Sequence, residues 1–252
     1  MTTVPAKPVP AKPLLIVLAT ADFDPTEVAA PWRAARSAGL EVVFATEDGQ
    51  PATCDPLVLA GPLFGLLGAS EENCATYAEL TEDPAFQRPL AWTTLDAGDF
   101  GGLLLPGGHA KGMRQYLEST SLQDLVRAFF AANQPVGSIC HGGVVLARTR
   151  DASGVCVVAG RRVTALTRSL ENTAWLLTAW KLGDYYRTYP TWVETELTAA
   201  IGDDGTFERG PLMARYGNPF TVRDGNLLTA RWPGDASRFA DELVAMVLAA
   251  GA

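Results

Sequence analysis

The sequence predicts an α/β fold in which a mostly parallel sheet is sandwiched by helices. Short apolar runs, typical of buried strands, alternate along the chain with segments of helical periodicity. One such run, 136–139, ends at Cys140 between small residues and leads directly into an apolar helix pattern, as in a nucleophile elbow. Hydrophobic residues make up 48% of the 252-residue chain, which is enough to bury a full core.

The N-terminal part supplies the first predicted strand and helix. Residues 14–19 form a continuous apolar run and are predicted to be the first buried strand. A helix is predicted over 25–38. Asp24 is a good N-cap, Pro25 suits the first helical position, and Gly39 ends the pattern.

The same alternation continues through the middle of the chain. Strands are predicted at 41–45, 101–105 and 136–139. The segment 121–133 carries its apolar residues on one helical face, and the helix 142–149 follows the elbow.

Turn residues in the C-terminal part of the chain predict two hairpins. Asp224-Gly225 between two apolar runs predicts a hairpin of 220–223 with 227–230. A second hairpin, of 155–158 with 162–165, is predicted around Gly160. Helical patterns cover 172–182, 191–201 and 236–250.

These elements predict a single domain over 14–252, preceded by a disordered tail at 1–13. Residues 51–92 are rich in Gly, Pro and acidic residues and are interpreted as an insertion or lid. The tyrosine-rich loop 183–190 is expected to line a pocket or an interface, or else to pack on its own helix.

Composition excludes several classes of partner. The formal net charge is −8, and the basic residues are outnumbered and not clustered, so nucleic acids and anionic membranes are not expected as partners. The apolar run 14–19 is too short to span a bilayer. Four cysteines without CxxC spacing indicate free thiols in a reducing compartment, so the expected location is cytoplasmic.

Cys140 is the candidate nucleophile. The sharp strand-to-helix turn brings backbone from both sides together, which requires small neighbours such as Ser138 and Gly142. The N-terminus of the following helix is expected to favour a thiolate, and His141 to add charge or relay a proton. The other three cysteines have no such context and are interpreted as ordinary core residues.

A second motif, Gly107-Gly108-His109, lies at the end of the strand 101–105. In open α/β sheets, ligand sites gather at the carboxyl ends of strands. The backbone N–H groups of Gly108 and His141 are therefore predicted to form an oxyanion hole, the alternative being a tight turn with no ligand.

Glu27 lies in the first turn of the helix that begins at Pro25. A carboxylate there is ordinarily a capping partner. If it lies beside Cys140, burial would raise its pKa and it would act as an acid or base.

Together these motifs resemble the DJ-1/PfpI superfamily, which has the flavodoxin-like, class I glutamine amidotransferase-like fold, and most closely its Hsp31-type branch. The resemblance covers about 14–248 and is carried by the elbow 138–142, the turn 105–109 and the segment 24–27 with 42–46. It implies Cys140 as nucleophile with His141 beside it, and Glu27 as the carboxylate that contacts the cysteine.

The glycine turn and the tyrosine-rich loop also predict a pocket near Gly107, His109 and Tyr186. The resemblance implies a homodimer. The branch often orients its histidine with an acid, but here the alignment places Arg168 near that position. Glu171 is the nearby substitute. No cofactor is expected. No metal site is expected either, since both histidines already belong to the two motifs.

Three functions remain open at this level. The first is a glyoxalase III-like lyase that converts a 2-oxoaldehyde to a 2-hydroxy acid through a Cys140 hemithioacetal. The second is an amidase, peptidase or isocyanide hydratase that uses the same cysteine. The third is a non-enzymatic redox sensor or chaperone.

Overall fold

The computed structural model describes residues 11–61, 68–211 and 218–251. Its strands, in chain order, are β1 (Leu14–Val17), β2 (Ala21–Phe23), β3 (Val42–Thr46), β4 (Thr53–Cys54), β5 (Leu90–Ala91), β6 (Gly102–Leu105), β7 (Val136–Ile139), β8 (Arg162–Val163), β9 (Thr206–Phe207), β10 (Thr221–Asp224) and β11 (Leu227–Ala230). Its helices are α1 (Pro25–Ser37), α2 (Pro56–Ala60), α3 (Glu71–Thr81), α4 (Pro84–Gln87), α5 (Arg114–Leu117), α6 (Thr120–Ala131), α7 (Gly142–Arg148), α8 (Arg168–Leu182), α9 (Val193–Ile201) and α10 (Ala236–Ala250).

The main sheet has seven strands in the order β10-β11-β7-β6-β1-β3-β5. Every neighbouring pair is parallel except β10 and β11, which form the predicted hairpin. Helices α1 and α10 contact each other and pack against the sheet, and α6 and α7 form a second such pair. This confirms the predicted parallel sheet between helices. Its central strands β1, β6 and β7 are fully buried.

The helix α1 begins as the sequence predicts. The Asp24 side chain accepts hydrogen bonds from Thr26 N at 2.8 Å and from Glu27 N at 3.3 Å. Pro25 occupies the first turn, and Gly39 follows the helix with φ at 71°. Capping at this end fixes Glu27 at the carboxyl edge of the sheet.

The predicted hairpin of 155–158 with 162–165 is wrong. Instead, β8 pairs in parallel with β9, and Cys156 forms an isolated bridge with Arg150. Gly160 N donates to Ile201 O at 2.8 Å. A local turn does form, with Arg161 N donating to Val158 O at 3.1 Å, but the two flanking segments pair with distant parts of the chain and not with each other. The helix predicted at 172–182 also starts earlier, at Arg168, because Thr167 caps it.

The segment 51–92 contains β4, α2, α3, α4 and β5 in its described part; residues 62–67 lie outside it. Strand β5 extends the main sheet beside β3, and α3 packs on α1. These elements form one edge of the fold. Residues 1–10 of the predicted tail also lie outside the described residues. Among the helices described, none has the length and apolar character needed to cross a membrane.

Candidate active site

Cys140 occupies a strained turn between β7 and α7. Its φ is 58°, in the left-handed region that residues with side chains rarely adopt. A Cβ on Gly142 would collide with the carbonyl oxygen of Leu105 and lie 3.0 Å from Ser138 Oγ. A side chain at Gly142, two positions after the cysteine, therefore does not fit, and the elbow requires a small residue there, as predicted. Cys140 itself is fully buried.

The turn at the end of β6 touches this elbow. A Cβ on Gly107 would lie 2.5 Å from His141 N and 2.9 Å from Cys140 Cβ. The Gly107 carbonyl accepts a hydrogen bond from Asp24 N at 2.8 Å. The two motifs that the sequence placed at strand ends are thus in direct contact, with the start of α1 beside them.

The Glu27 carboxyl group lies in this junction. Its Oε2 accepts a hydrogen bond from Gly107 N at 2.7 Å, while Oε1 is buried without a hydrogen-bond partner among the described residues. Burial raises its pKa well above the ordinary value, and the nearby Asp24 charge adds to this; hydrogen bonds from Gly107 and Cys140 act in the opposite direction. Glu27 is therefore placed against the thiol and holds a proton readily.

The Cys140 thiol is protonated in this enclosed arrangement. Burial raises its pKa well above the ordinary thiol value, and the charges of Glu27 and Asp24 raise it further. The helix N-terminus was expected to favour a thiolate, but the surroundings raise the pKa of the Cys140 thiol instead, against a lowering hydrogen bond from the His141 backbone N–H.

His141 presents one ring nitrogen to the thiol. Its Nδ1 lies 3.6 Å from Cys140 Sγ, and its Nε2 lies 3.2 Å from Thr188 Oγ1. The Thr188 hydroxyl donates its only hydrogen to the His109 carbonyl oxygen at 2.5 Å, so it accepts from His141 Nε2–H. This hydrogen-bond logic assigns the tautomer in which Nδ1 has a free lone pair facing Cys140. Burial and the neighbouring His109 lower the pKa of His141, so the ring is neutral.

The two residues considered for an orienting acid lie elsewhere. Glu171 Oε2 accepts from Val193 N at 3.0 Å, and the Arg168 backbone N donates to Glu194 Oε2 at 2.8 Å. The two ring nitrogens of His141 face Cys140 Sγ and Thr188 Oγ1. The expectation that Glu171 orients His141 is therefore corrected: a threonine hydroxyl holds the ring.

The loop 183–190 closes over the site. The Tyr186 ring packs edge-on against His109 at a centroid distance of 5.9 Å, and Tyr185 donates to Asp55 Oδ1 at 3.1 Å. Arg114 donates two hydrogen bonds, of 2.8 and 2.6 Å, to the Thr188 carbonyl oxygen. The loop thus lines the site.

Several buried polar atoms here have no hydrogen-bond partner among the described residues: Glu27 Oε1, Asp55 Oδ2, His109 Nε2 and Tyr186 Oη. Buried polar atoms are normally satisfied, so their clustering marks a place where a polar ligand or water would bind. Sequence reasoning missed Thr188, Asp55 and Tyr185. The tyrosine content of the loop 183–190 pointed towards Tyr185 and Thr188, and Asp55 lies in the segment 51–92 that was interpreted as an insertion or lid.

His109, Cys140 and His141 form a compact group. The imidazole centroids are 4.8 Å apart, and one potential ligand atom from each residue lies within 4.8 Å of the others. The glycine turn and the elbow each contain one of the two histidines and bring them together with the thiol. Membership of these motifs therefore does not exclude a metal site.

Comparison with known proteins places the chain in a family. A family model described as ThiJ/PfpI family-like matches residues 18–204. The glutathione-independent glyoxalase hsp3101 of Schizosaccharomyces pombe is 28% identical over 151 residues, 58% of this chain and 59% of the yeast protein. The pyridoxal 5'-phosphate synthase subunit PdxT of Frankia casuarinae is 29% identical over 194 residues, 71% of this chain and 92% of that protein. The match to the yeast glyoxalase thus spans less than two thirds of that protein.

Solved structures have the same fold. The Rapid Encystment Protein 24 KDa of Francisella tularensis superposes with a TM-score of 0.72 at 17% identity, covering 94% of this chain and 99% of the other. Glyoxalase III from Candida albicans superposes with a TM-score of 0.69 at 20% identity, covering 93% and 97%. At such identities the superposition establishes the fold alone.

Proposed function

Because the chain belongs to the ThiJ/PfpI family, we propose that it is a cofactor-independent cysteine enzyme that converts a small 2-oxoaldehyde to a 2-hydroxy acid. One observation carries the proposal: a buried carboxyl group, Glu27, lies against the thiol of Cys140 with one oxygen unpartnered. The name of the yeast relative, a glutathione-independent glyoxalase, supports the same chemistry.

The first step is addition of Cys140 Sγ to the aldehyde carbon. The thiol proton passes to His141 Nδ1, whose lone pair faces the sulfur at 3.6 Å. The backbone N–H groups of Gly108 and His141 bind the developing oxyanion. Return of the proton to that oxygen gives a neutral hemithioacetal and restores the neutral ring.

The second step moves a proton between the two substrate carbons. Glu27, in its ionised form, removes the proton from the former aldehyde carbon, giving an enediolate, and then protonates the neighbouring carbon. The hydroxyl proton of the hemithioacetal passes to the neighbouring substrate oxygen in the same step. The raised pKa of Glu27 suits this role, because a weaker acid is a stronger base when ionised. The product is a 2-hydroxyacyl thioester.

In the third step water hydrolyses the thioester, releasing the 2-hydroxy acid and the free thiol. One carbon is oxidised and its neighbour reduced, so the overall reaction consumes only water. No electron acceptor is needed.

The direct test is incubation of the protein with methylglyoxal in the absence of glutathione, with measurement of lactate. Wild type is expected to form lactate, while Cys140→Ala and Glu27→Gln lose it by at least about 100-fold. Cys156→Ser is the matched control, since that half-buried thiol hydrogen-bonds to the backbone carbonyls of Leu146 and Ala147 and has no place in the proposed mechanism. Lactate formation that survives in Cys140→Ala would overturn the mechanism.

The Cys140–His141 contact favours a second candidate, hydrolysis of an amide or hydration of an isocyanide by the same thiol. A cysteine beside a neutral histidine with a free lone pair is the pair that acyl transfer requires. This function predicts an acyl or thioimidate adduct on Cys140 in intact-protein mass spectra, and no lactate from methylglyoxal.

A further inference from the structure

His109, Cys140 and His141 have the composition of a metal-ligand set, and the Cys140–His141 pair has the matching spacing. Their potential ligand atoms all lie within 4.8 Å of one another. The Cys140 Sγ–His141 Nδ1 distance is 3.6 Å. Around a tetrahedral zinc ion with Zn–S of about 2.3 Å and Zn–N of about 2.0–2.1 Å, the same two atoms would be about 3.6 Å apart.

The surroundings of both imidazoles suit metal binding. A metal-binding histidine usually donates its other ring N–H to an oxygen, which fixes the ring. His141 does this through Thr188 Oγ1 at 3.2 Å and leaves Nδ1 facing the sulfur. His109 Nε2 is buried and has no hydrogen-bond partner among the described residues, so this ring has an unused polar atom inside the site.

We propose that His109, Cys140 and His141 bind Zn²⁺ or another thiophilic cation, and that this binding reversibly blocks the nucleophile. The hydrated ion exchanges water for two neutral imidazole nitrogens and the Cys140 sulfur. The thiol proton is released to solvent as the S–Zn bond forms, and a water ligand remains in the fourth position. One thiolate with two imidazoles is a donor set that suits Zn²⁺ and Cu⁺ and is poor for Mg²⁺ or Ca²⁺.

Binding of the cation at this site inhibits the reaction of Cys140 in two ways. The lone pair of the sulfur that would attack a substrate is shared with the ion, and the Nδ1 lone pair that would accept the thiol proton is occupied. This inference does not depend on which substrate Cys140 attacks, because it concerns the resting thiol.

The test uses chelator-treated full-length protein and Co²⁺, a spectroscopic substitute for Zn²⁺. Wild type is expected to show a thiolate-to-cobalt charge-transfer band that Zn²⁺ abolishes by displacement. Cys140→Ser is expected to lose the band, and His109→Gln to weaken Co²⁺ binding at least tenfold. The control is the double variant Cys74→Ser with Cys156→Ser, whose thiols hydrogen-bond to backbone carbonyls. It is expected to keep the band.

A second measurement uses wild type, so it does not depend on whether a variant folds. Zn²⁺ is expected to protect Cys140 of wild type from iodoacetamide, and a chelator to restore labelling, as followed by peptide mass mapping. The inference is overturned if wild type shows neither the band nor protection at millimolar metal. A band that persists in Cys140→Ser, or an unchanged affinity in His109→Gln, also overturns it. Lactate formation is not a readout here, so failure of the proposed function and failure of this site are distinguishable.

Discussion

Thr188 Oγ1 lies 3.2 Å from His141 Nε2 and thereby takes the place in which an acid was expected from the sequence. The same hydroxyl donates to the His109 carbonyl oxygen, so one side chain links the elbow, the glycine turn and the tyrosine-rich loop. A neutral hydroxyl fixes the tautomer of His141 without adding a negative charge to a site that already contains Glu27 and Asp24.

Replacement of Thr188 by valine removes the acceptor for His141 Nε2–H while keeping the branched shape. Because the ring then loses its preference for the tautomer with a free Nδ1, kcat is expected to fall about 10- to 100-fold with little change in KM. Thr188→Ser keeps the hydroxyl and is expected to retain most activity. Steady-state kinetics on methylglyoxal distinguish the two variants, and a wild-type kcat in Thr188→Val would contradict this role.

Gly107→Ala tests the contact between the glycine turn and the elbow. The added Cβ would lie 2.5 Å from His141 N, 2.9 Å from Cys140 Cβ and 3.0 Å from Glu27 Oε2. Backbone cannot yield as a flexible side chain does, so we expect a loss of about 1–3 kcal/mol in the free energy of unfolding and a loss of activity.

The matched control is Gly98→Ala, where the nearest atom to the new Cβ is Asp96 Oδ1 at 3.2 Å, the end of a side chain that can move. Chemical denaturation and lactate assays on both variants make the comparison. Equal free energies of unfolding for the two variants would contradict close packing of the glycine turn against the elbow.

Tyr185→Phe tests whether the loop 183–190 controls access to the thiol. The change removes the 3.1 Å hydrogen bond to Asp55 Oδ1 and little else. A hydrogen bond worth about 1 kcal/mol corresponds to about a fivefold change in the open population. Iodoacetamide should therefore label Cys140 about five times faster in the variant, while labelling of Cys156, outside the loop, stays unchanged as an internal control. An unaltered Cys140 rate would mean that access does not require this contact to break.

The buried Glu171 carboxyl group is expected to affect the pH dependence of the free energy of unfolding and not catalysis. Burial raises its pKa from 4.5 to about 7, against the opposing hydrogen bond from Val193 N. The folded state therefore binds the proton more tightly than the unfolded chain. This contribution to stability is fully present below pH 4.5 and is lost as the pH rises to about 7, on the order of 3 kcal/mol in total.

Glu171→Gln keeps an oxygen acceptor for Val193 N but removes the charge. The variant should be more stable than wild type at pH 8 and should lose most of this advantage near pH 4, as measured by urea denaturation across the pH range. The same substitution at the exposed Glu82 is the control. A constant difference between Glu171→Gln and wild type at all pH values would contradict the assignment.

The sequence by itself determined the parallel sheet, the elbow at Cys140, the glycine turn and the capped start of α1. Each of these depends on local rules: apolar runs become buried strands, small residues permit close backbone contact, and Asp24 with Pro25 starts a helix. Since the carboxyl ends of parallel strands meet at one edge, these local signals also placed Glu27, Gly107 and Cys140 together.

Only the tertiary structure decided what surrounds that group. Thr188 is 47 positions from His141, and nothing in the sequence distinguishes its hydroxyl from that of any other threonine. The alignment placed Arg168 near the expected acid position and left Glu171 as the nearby substitute, but the Glu171 carboxylate accepts from Val193 N and does not contact His141. The raised pKa of the Cys140 thiol likewise depends on the tertiary structure, because its causes are burial and the carboxyl groups of Glu27 and Asp24, which come from a distant part of the chain.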